Sequence, residues 1–130
     1  MSAGPLDDAI AAFNRAEYFK AAEQFETVAR DLDAELKDLA GALNRVAAAL
    51  HLRFERGGRQ GPINLISQAM LTLEDMRPAC AGIDIARLFD ELHAFTEDVR
   101  SSPRDEREGL RHRARVFMER RRAPKIERIK

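Results

Sequence analysis

Two glutamates, Glu23 and Glu26, are the residues whose type and spacing could most readily support chemistry. They lie one turn apart on a predicted helix, beside its apolar stripe. Carboxylates at this spacing can bind a metal ion or act as an acid–base pair, and bundles with two metal ions supply a Glu-x-x-His pair from each of two helices. The chain has no Glu-x-x-His sequence and no second matching half. A metal-dependent hydrolase using Glu23 and Glu26 is therefore the least favoured of the functions that the sequence suggests.

The other reactive side chains are isolated from one another. His51, His93 and His112 lie on three different predicted helices, and Cys80 lies in a linker with no histidine motif beside it. The glycine-rich segment 57–62 precedes a helix, but it follows no strand and lacks the Gly-Lys-Ser/Thr ending of a phosphate-binding loop. We interpret it as a turn. The sequence thus predicts no catalytic residue, no metal site and no cofactor.

Charge divides the chain into two parts. Through Val99 there are 10 lysines and arginines against 17 aspartates and glutamates, whereas from Arg100 onward there are 12 against 5, so the formal net charge of zero hides −7 and +7. Such an asymmetry indicates an acidic body followed by a basic extension that interacts with something acidic. We predict two units, residues 1–99 and residues 100–130.

The basic extension is the main candidate for an interaction surface. It reads as a helix with a thin apolar stripe of Leu110, Ala114 and Phe117. The predicted interaction residues are Arg107, Arg111, Arg115, Phe117, Arg120, Arg121 and Arg122. Through its apolar stripe this helix could dock on the acidic body of its own or a second molecule. It could also bind another protein or, with a single aromatic residue available for stacking, the phosphate backbone of a nucleic acid.

Hydrophobic periodicity predicts the elements that carry these residues. Apolar side chains recur at helical spacing in five segments, which begin near residues 5, 18, 35, 62 and 85. No segment alternates with period two, so we expect no strands. The predicted fold is all-α: a compact antiparallel bundle of about five helices plus a C-terminal basic helix. Pro124 should end that helix and leave residues 125–130 frayed.

Composition points to a cytoplasmic location. The 130 residues are 45% hydrophobic and 34% charged, and no run of about 18 apolar residues exists. The single cysteine suits a reducing compartment, and residues 1–8 do not read as a signal peptide. We therefore expect a cytoplasmic protein that does not enter a membrane.

Several short motifs occur in a characteristic order between Phe13 and about Leu92. They are Phe13-Asn14-Arg15-x-Glu17-Tyr18-Phe19, Ala21-x-Glu23-x-x-Glu26, Val46–His51, Arg56-Gly57 with Gly61, and Gly82-Ile83-Asp84. Together they resemble the family known as domain of unknown function 309, a small helical fold. The resemblance implies a histidine, a tryptophan and a glutamine where this chain has Ala22, Ala29 and Arg45. Any metal or acid–base chemistry that the family performs with its histidine and glutamates should thus be lost or altered here.

These substitutions suggest a structural role for the glutamates. Residues 22, 26 and 29 share one helix face, so we expect Glu26 to flank the buried stripe, where a carboxylate needs a partner. We predict that Arg45, on the antiparallel third helix, forms a partly buried ion pair with Glu26 or Glu23. The function predicted from the sequence is a non-enzymatic binding or scaffold protein, acting on a protein partner or as a homodimer through its basic helix.

Overall fold

Six helices account for most of the computed structural model, which describes residues 4–31, 34–102 and 110–129. They are α1 (Gly4–Asn14), α2 (Tyr18–Ala29), α3 (Ala34–Arg56), α4 (Gln60–Glu74), α5 (Ile85–Ser101) and α6 (Leu110–Arg121). The all-α prediction is confirmed. No helix in the described ranges combines the length and apolar character needed to cross a membrane.

The long helix α3 is the centre of the bundle. It packs against α2 on one side and α4 on the other, while α1 adds to α2 and α5 to α4. Its predicted stripe is buried, with Leu39, Leu43 and Leu50 completely shielded from solvent. Each such side chain contributes about 1.5–3 kcal/mol through removal of apolar surface from water. The predicted stop also holds, because Gly57 adopts a positive φ of 70° and its N–H donates to the Arg53 carbonyl at 3.1 Å.

A small hairpin corrects the expectation that the chain has no strands. Strand β1 (Ala79–Cys80) pairs antiparallel with β2 (Ile83–Asp84), which leads directly into α5. The two connecting residues, Ala81 and Gly82, both have positive φ, as the tight turn of a two-residue hairpin requires. Strands of two residues are too short for an alternating pattern to register in the sequence. Asp84 caps the amino end of α5, since its carboxylate accepts from the Arg87 N–H at 3.0 Å.

The C-terminal segment 123–129 returns to the body, so the prediction of a frayed end is wrong. The Asp84 N–H donates to the Glu127 carbonyl at 2.8 Å, and the Ile129 N–H donates to the Gly82 carbonyl at 2.9 Å. Ala123 and Ile126 belong to the same hydrophobic core as the helices. The segment thus extends the hairpin edge and buries apolar side chains, which compensates for the entropy lost on ordering it.

Asn14, the last residue of α1, holds this segment from the opposite side. Its side-chain NH₂ donates to the Ile126 carbonyl at 2.8 Å, and its side-chain oxygen accepts from the Ile126 N–H at 2.9 Å. The Lys125 ammonium group donates to the Asn14 carbonyl at 2.9 Å. One amide side chain therefore satisfies both backbone groups of a buried residue, in the way that a neighbouring strand would.

We expect Ile126→Ala to lower the free energy of unfolding by about 2–4 kcal/mol, because it removes a side chain that is 2% exposed from the core. Chemical denaturation measures the change. Ile129→Ala is the matched control: that side chain is 51% exposed, and its loss should cost about 0.5 kcal/mol or less. Equal effects of the two substitutions would contradict the docking of this segment.

Candidate functional site

A buried ion pair fixes α6 to α3. The Arg53 guanidinium donates to both carboxylate oxygens of Glu119, from Nε at 2.8 Å and from its terminal nitrogen at 2.7 Å. The side chains are only 5% and 7% exposed. Arg53 also donates to the Gly58 carbonyl at 3.2 Å, just beyond the end of α3. This forked geometry is the one in which arginine and carboxylate bind most strongly.

Arg120 makes the second contact between α6 and the bundle. Its guanidinium lies 5.4 Å from the centre of the Phe54 ring and pairs with Glu55 at 2.9 Å. Phe54 in turn contacts Tyr18 and Phe95, with ring centres 5.7 and 5.9 Å apart. A cation above this aromatic cluster is attracted by the negative face of the Phe54 ring.

The side of α6 that faces away from the bundle carries two large apolar side chains and two cations. We call Phe117, Met118, Arg121 and Arg122 the α6 outer patch. Phe117 is 59% exposed and Met118 is 44% exposed, and the Arg121 guanidinium lies 5.8 Å from the Phe117 ring centre. Neither Arg121 nor Arg122 forms an ion pair with any residue that the structure describes.

The predicted interaction residues therefore fall into three groups. Phe117, Arg121 and Arg122 lie on the outer patch, whereas Arg120 points toward the bundle. Arg107 lies outside the described residues. The backbones of Arg111 and Arg115 belong to α6, but their side chains lie outside the description.

The route by which α6 docks also differs from the expected one. Ala114 and Phe117 were predicted to dock on the body, but both are exposed. Leu110, the third residue of that stripe, has a side chain outside the description. The contacts are made instead by Glu119 and Arg120 and by the segment after α6. Glu119 is the single carboxylate between Leu110 and Pro124, and this lone acid in an arginine-rich stretch was the signal in the sequence that could have revealed the contact.

The ion pair predicted between Arg45 and Glu26 or Glu23 is not formed. All three side chains are exposed, and Glu26 pairs with Arg30 on its own helix at 3.6 Å. The contact with α2 is made one position earlier, where the Asn44 side-chain amide donates to the Ala22 carbonyl at 2.7 Å. Since successive helical residues are rotated by about 100°, a shift of one position takes Arg45 away from the α2–α3 interface and into solvent.

Two shallow grooves flank α2, and each is lined by one residue whose type could support chemistry, Glu23 in the first and His51 in the second. The first, of about 310 Å³, includes Asp8, Lys20 and Glu23. The second, of about 330 Å³, includes Lys20, His51 and Glu55. Within the described part of the chain, no three His, Cys, Asp or Glu side chains are placed so that they could hold a metal ion.

Most titratable residues around the second groove already have partners. Arg15 donates to Glu17 from Nε at 3.3 Å and from its terminal nitrogen at 3.0 Å, and this hydrogen bond lowers the pKa of the Glu17 carboxyl. The His51 ring packs against Phe19, with ring centres 5.3 Å apart. Glu55 is engaged by Arg120. These contacts give the side chains structural roles at the start of α2.

Tyr18 is the most perturbed titratable group. It is 3% exposed, and its hydroxyl has no hydrogen-bond partner among the described residues. Burial raises its pKa to about 12, and the charge of Arg120 opposes that shift. The motif residue Tyr18 therefore acts mainly as an apolar ring, packed at 5.4 Å against Phe13 in an edge-on arrangement.

Comparisons with known proteins yielded no match to a family model, a curated protein or a solved structure. The resemblance to the domain of unknown function 309 family stays a prediction from the motifs.

Glu119→Ala should lower the free energy of unfolding by about 3–5 kcal/mol, because it leaves the Arg53 guanidinium buried without its counter-ion. Denaturation with urea measures the loss. The exposed pair gives the control, and Glu55→Ala should cost about 0–1 kcal/mol. The double variant Arg53→Met with Glu119→Leu should be more stable than Glu119→Ala. A double variant that is less stable would contradict an unpaired charge as the cause.

Tyr18 should make stability fall at alkaline pH. Its pKa of about 12 in the folded protein exceeds the ordinary value of 10.0, so between these limits the unfolded chain loses the phenol proton while the folded chain keeps it. Stability from this group is complete below pH 10, and about 2–3 kcal/mol is lost as the pH rises to about 12. Because the chain has one tyrosine and no tryptophan, absorbance at the tyrosinate band reports the titration directly.

Tyr18→Phe is the control for this prediction. It removes a buried hydroxyl without a partner among the described residues, so it should leave stability at neutral pH unchanged or raise it by about 1 kcal/mol. The variant should also show a smaller decline between pH 10 and 12. A wild-type tyrosine that titrates near pH 10 in the folded protein would contradict the burial argument.

Proposed function

We propose that this chain is a non-enzymatic binding protein that uses the α6 outer patch to engage an acidic protein partner. The supporting observation is the combination of a firmly held helix with an outer face of phenylalanine, methionine and unpaired arginine. Aromatic residues, methionine and arginine are the types enriched in the centres of protein interfaces. Because the buried Glu119 pair holds α6 from its inner side, the patch is presented without a large ordering cost on binding.

The chemistry of the patch describes the partner that would fit it. The guanidinium groups of Arg121 and Arg122 would pair with carboxylates, while Phe117 and Met118 would be covered by apolar side chains. An acidic and partly apolar segment on another protein meets both demands. Met118 is suited to irregular apolar surfaces because its unbranched side chain adapts to them.

Nucleic acid is the second partner that the sequence suggested, and the described surface favours it less. Phosphate binding gains from many cations on one face, but Arg120 is turned toward Glu55 and Phe54. The rest of the body, residues 1–99, carries a net charge of −7, which repels a phosphate backbone. Phe117 is the single aromatic residue of α6, and extended stacking on bases needs several.

The remaining expectations from the sequence stay part of this proposal. A cytoplasmic location rests on the single cysteine, and family membership rests on the motifs between Phe13 and Leu92. A hydrolase that uses Glu23 and Glu26 gains no support from their exposed positions, with Glu26 held by Arg30.

The test compares two double variants of the immobilised protein in a cell extract, with captured proteins quantified by mass spectrometry. Phe117→Ala with Arg121→Glu alters the patch. Phe19→Ala with Arg30→Glu is the matched control, because Phe19 is also 59% exposed and neither residue belongs to the patch. We expect the same partner to be captured by the wild type and the control and lost with the patch variant. Loss of two hot-spot side chains should weaken the purified complex at least roughly 30-fold.

Two outcomes would overturn this proposal. Capture that persists in the patch variant would assign binding to another surface. Capture that disappears after nuclease treatment, together with a gel shift of duplex DNA or RNA that weakens steeply with salt, would support the nucleic-acid alternative.

A further inference from the structure

Helix α4 differs from the rest of the chain in its charge. Residues 60–73 contain no Asp, Glu, Lys, Arg or His, and no other run without these five residue types exceeds six residues, although 34% of the chain is Asp, Glu, Lys or Arg. The helix is not hidden inside the bundle. It buries Ile63, Ile66, Ala69 and Leu73, while its opposite side is open to solvent.

The solvent side of α4 is therefore a neutral face. It consists of Asn64, Ser67, Gln68 and Leu71, all exposed, and Leu71 is 71% exposed, the most open of the large apolar side chains described. An amphipathic surface helix ordinarily carries charged residues on this side. Depletion of charge around an exposed apolar residue is typical of the core of a protein interface.

The two ends of the helix carry opposite charges. Arg56 and Arg59 lie at its amino end, and Glu74 and Asp75 lie at its carboxyl end, where Glu74 pairs with Arg77 at 3.8 Å. This order opposes the helix dipole, which favours acids at the amino end and bases at the carboxyl end. Arg59 is held in place by donating to the carbonyls of Arg100 and Ser102, so its charge stays beside the start of α4. Asp75 forms no ion pair with the residues that the structure describes.

We propose that the neutral face of α4 packs against the same face of a second copy of this chain, with the two helices antiparallel about a two-fold axis near Ser67 and Gln68. In a two-fold interface the same surface patch of each copy faces its equivalent in the other copy. A patch that carries charges of one sign would therefore repel itself, whereas a neutral patch does not. The antiparallel arrangement brings Asp75 of one copy to the basic end of α4 in the other. The basic amino end and the acidic carboxyl end of α4 are unfavourable for the dipole of their own helix, but in the dimer each lies beside the oppositely charged end of the other helix.

The dimensions of α4 predict a weak dimer. Its 15 residues span about 22 Å at 1.5 Å per residue, and one helix pair of this length buries less than the roughly 1,200 Å² of a standard stable interface. Ser67, with its small side chain, lets the two helix axes approach closely near the middle of the contact. We therefore expect association in the micromolar range or weaker. This inference is independent of the α6 outer patch.

Sedimentation equilibrium of the full chain, from about 5 µM to about 1 mM, tests this inference. The wild type should shift from monomer to dimer across the range. Gln68→Glu and Gln68→Lys each place like charges across the two-fold axis and should weaken dimerisation at least roughly tenfold. An equal mixture of the two variants should restore a dimer, because opposite charges then face each other. Leu71→Ala should weaken the dimer without changing any charge.

The controls carry the same charges on another helix. Ala94→Glu and Ala94→Lys change an exposed residue of α5 and should leave the dimer intact. Circular dichroism checks that every variant keeps its helices, which is expected because Gln68, Leu71 and Ala94 are all exposed. A wild type that stays monomeric throughout would overturn the inference. So would a dimer insensitive to Gln68, a mixture that fails to associate, or loss of the dimer on Phe117→Ala with Arg121→Glu while the α4 variants retain it.

Discussion

The charged side chains of Arg53 and Glu119 are both almost fully buried, and the burial of each is stable only because the other is present. Moving either charge from water into the protein interior costs several kcal/mol, and their mutual attraction offsets that cost only when the geometry is good. Here two short hydrogen bonds join the groups, and the Gly58 carbonyl takes a further donor of Arg53. The position of α6 follows from this pair, and the chain after α6 continues from there along the hairpin and the end of α1. Ala123 and Ile126, which follow α6, thereby belong to the hydrophobic core.

The docking of α6 changes how the opposite net charges of residues 1–99 and 100–130 are interpreted. A net charge of −7 before residue 100 and +7 after it suggests two separate units joined by attraction at a distance. In the folded chain the attraction is local and specific, through Arg120 with Glu55 and through Arg128 with Asp7. One pairing even reverses the division, since the buried acid Glu119 comes from the basic part and the buried base Arg53 from the acidic part. Arg121, the last residue of α6, and Arg122, which follows it, form no ion pair with a described residue and are the two cations of the outer patch.

Residues that first suggest chemistry have structural explanations in this fold. His51 packs on Phe19, Glu17 accepts from Arg15, and Tyr18 contributes a ring to the aromatic cluster below Arg120. Asn14, in the same motif, binds both backbone groups of Ile126. The stretch from Phe13 to Phe19 thus has a structural role: it connects α1 to α2, and it binds the C-terminal segment through Asn14. Its polar and aromatic residues are close together in sequence because they make these contacts.

The sequence by itself determined the helices, because their signals are local. Apolar residues at helical spacing marked the inner faces of α1 to α5, Gly57 ended α3, and Asp84 began α5. The candidate surface on α6 was only partly predictable. Phe117, Arg121 and Arg122 were named as interaction residues and are exposed, but Phe117 was also expected to dock on the body, and Arg120 was not recognised as an inward contact. Only the tertiary structure decided that Glu119 meets Arg53, 66 residues away, and that Asn14 meets Ile126, 112 residues away. Neither contact leaves a periodic trace, because each joins two residues that are far apart in the chain. The Arg45 prediction was wrong for a related reason: a helix face is set by rotation about its axis, and one residue of rotation moved the contact to Asn44.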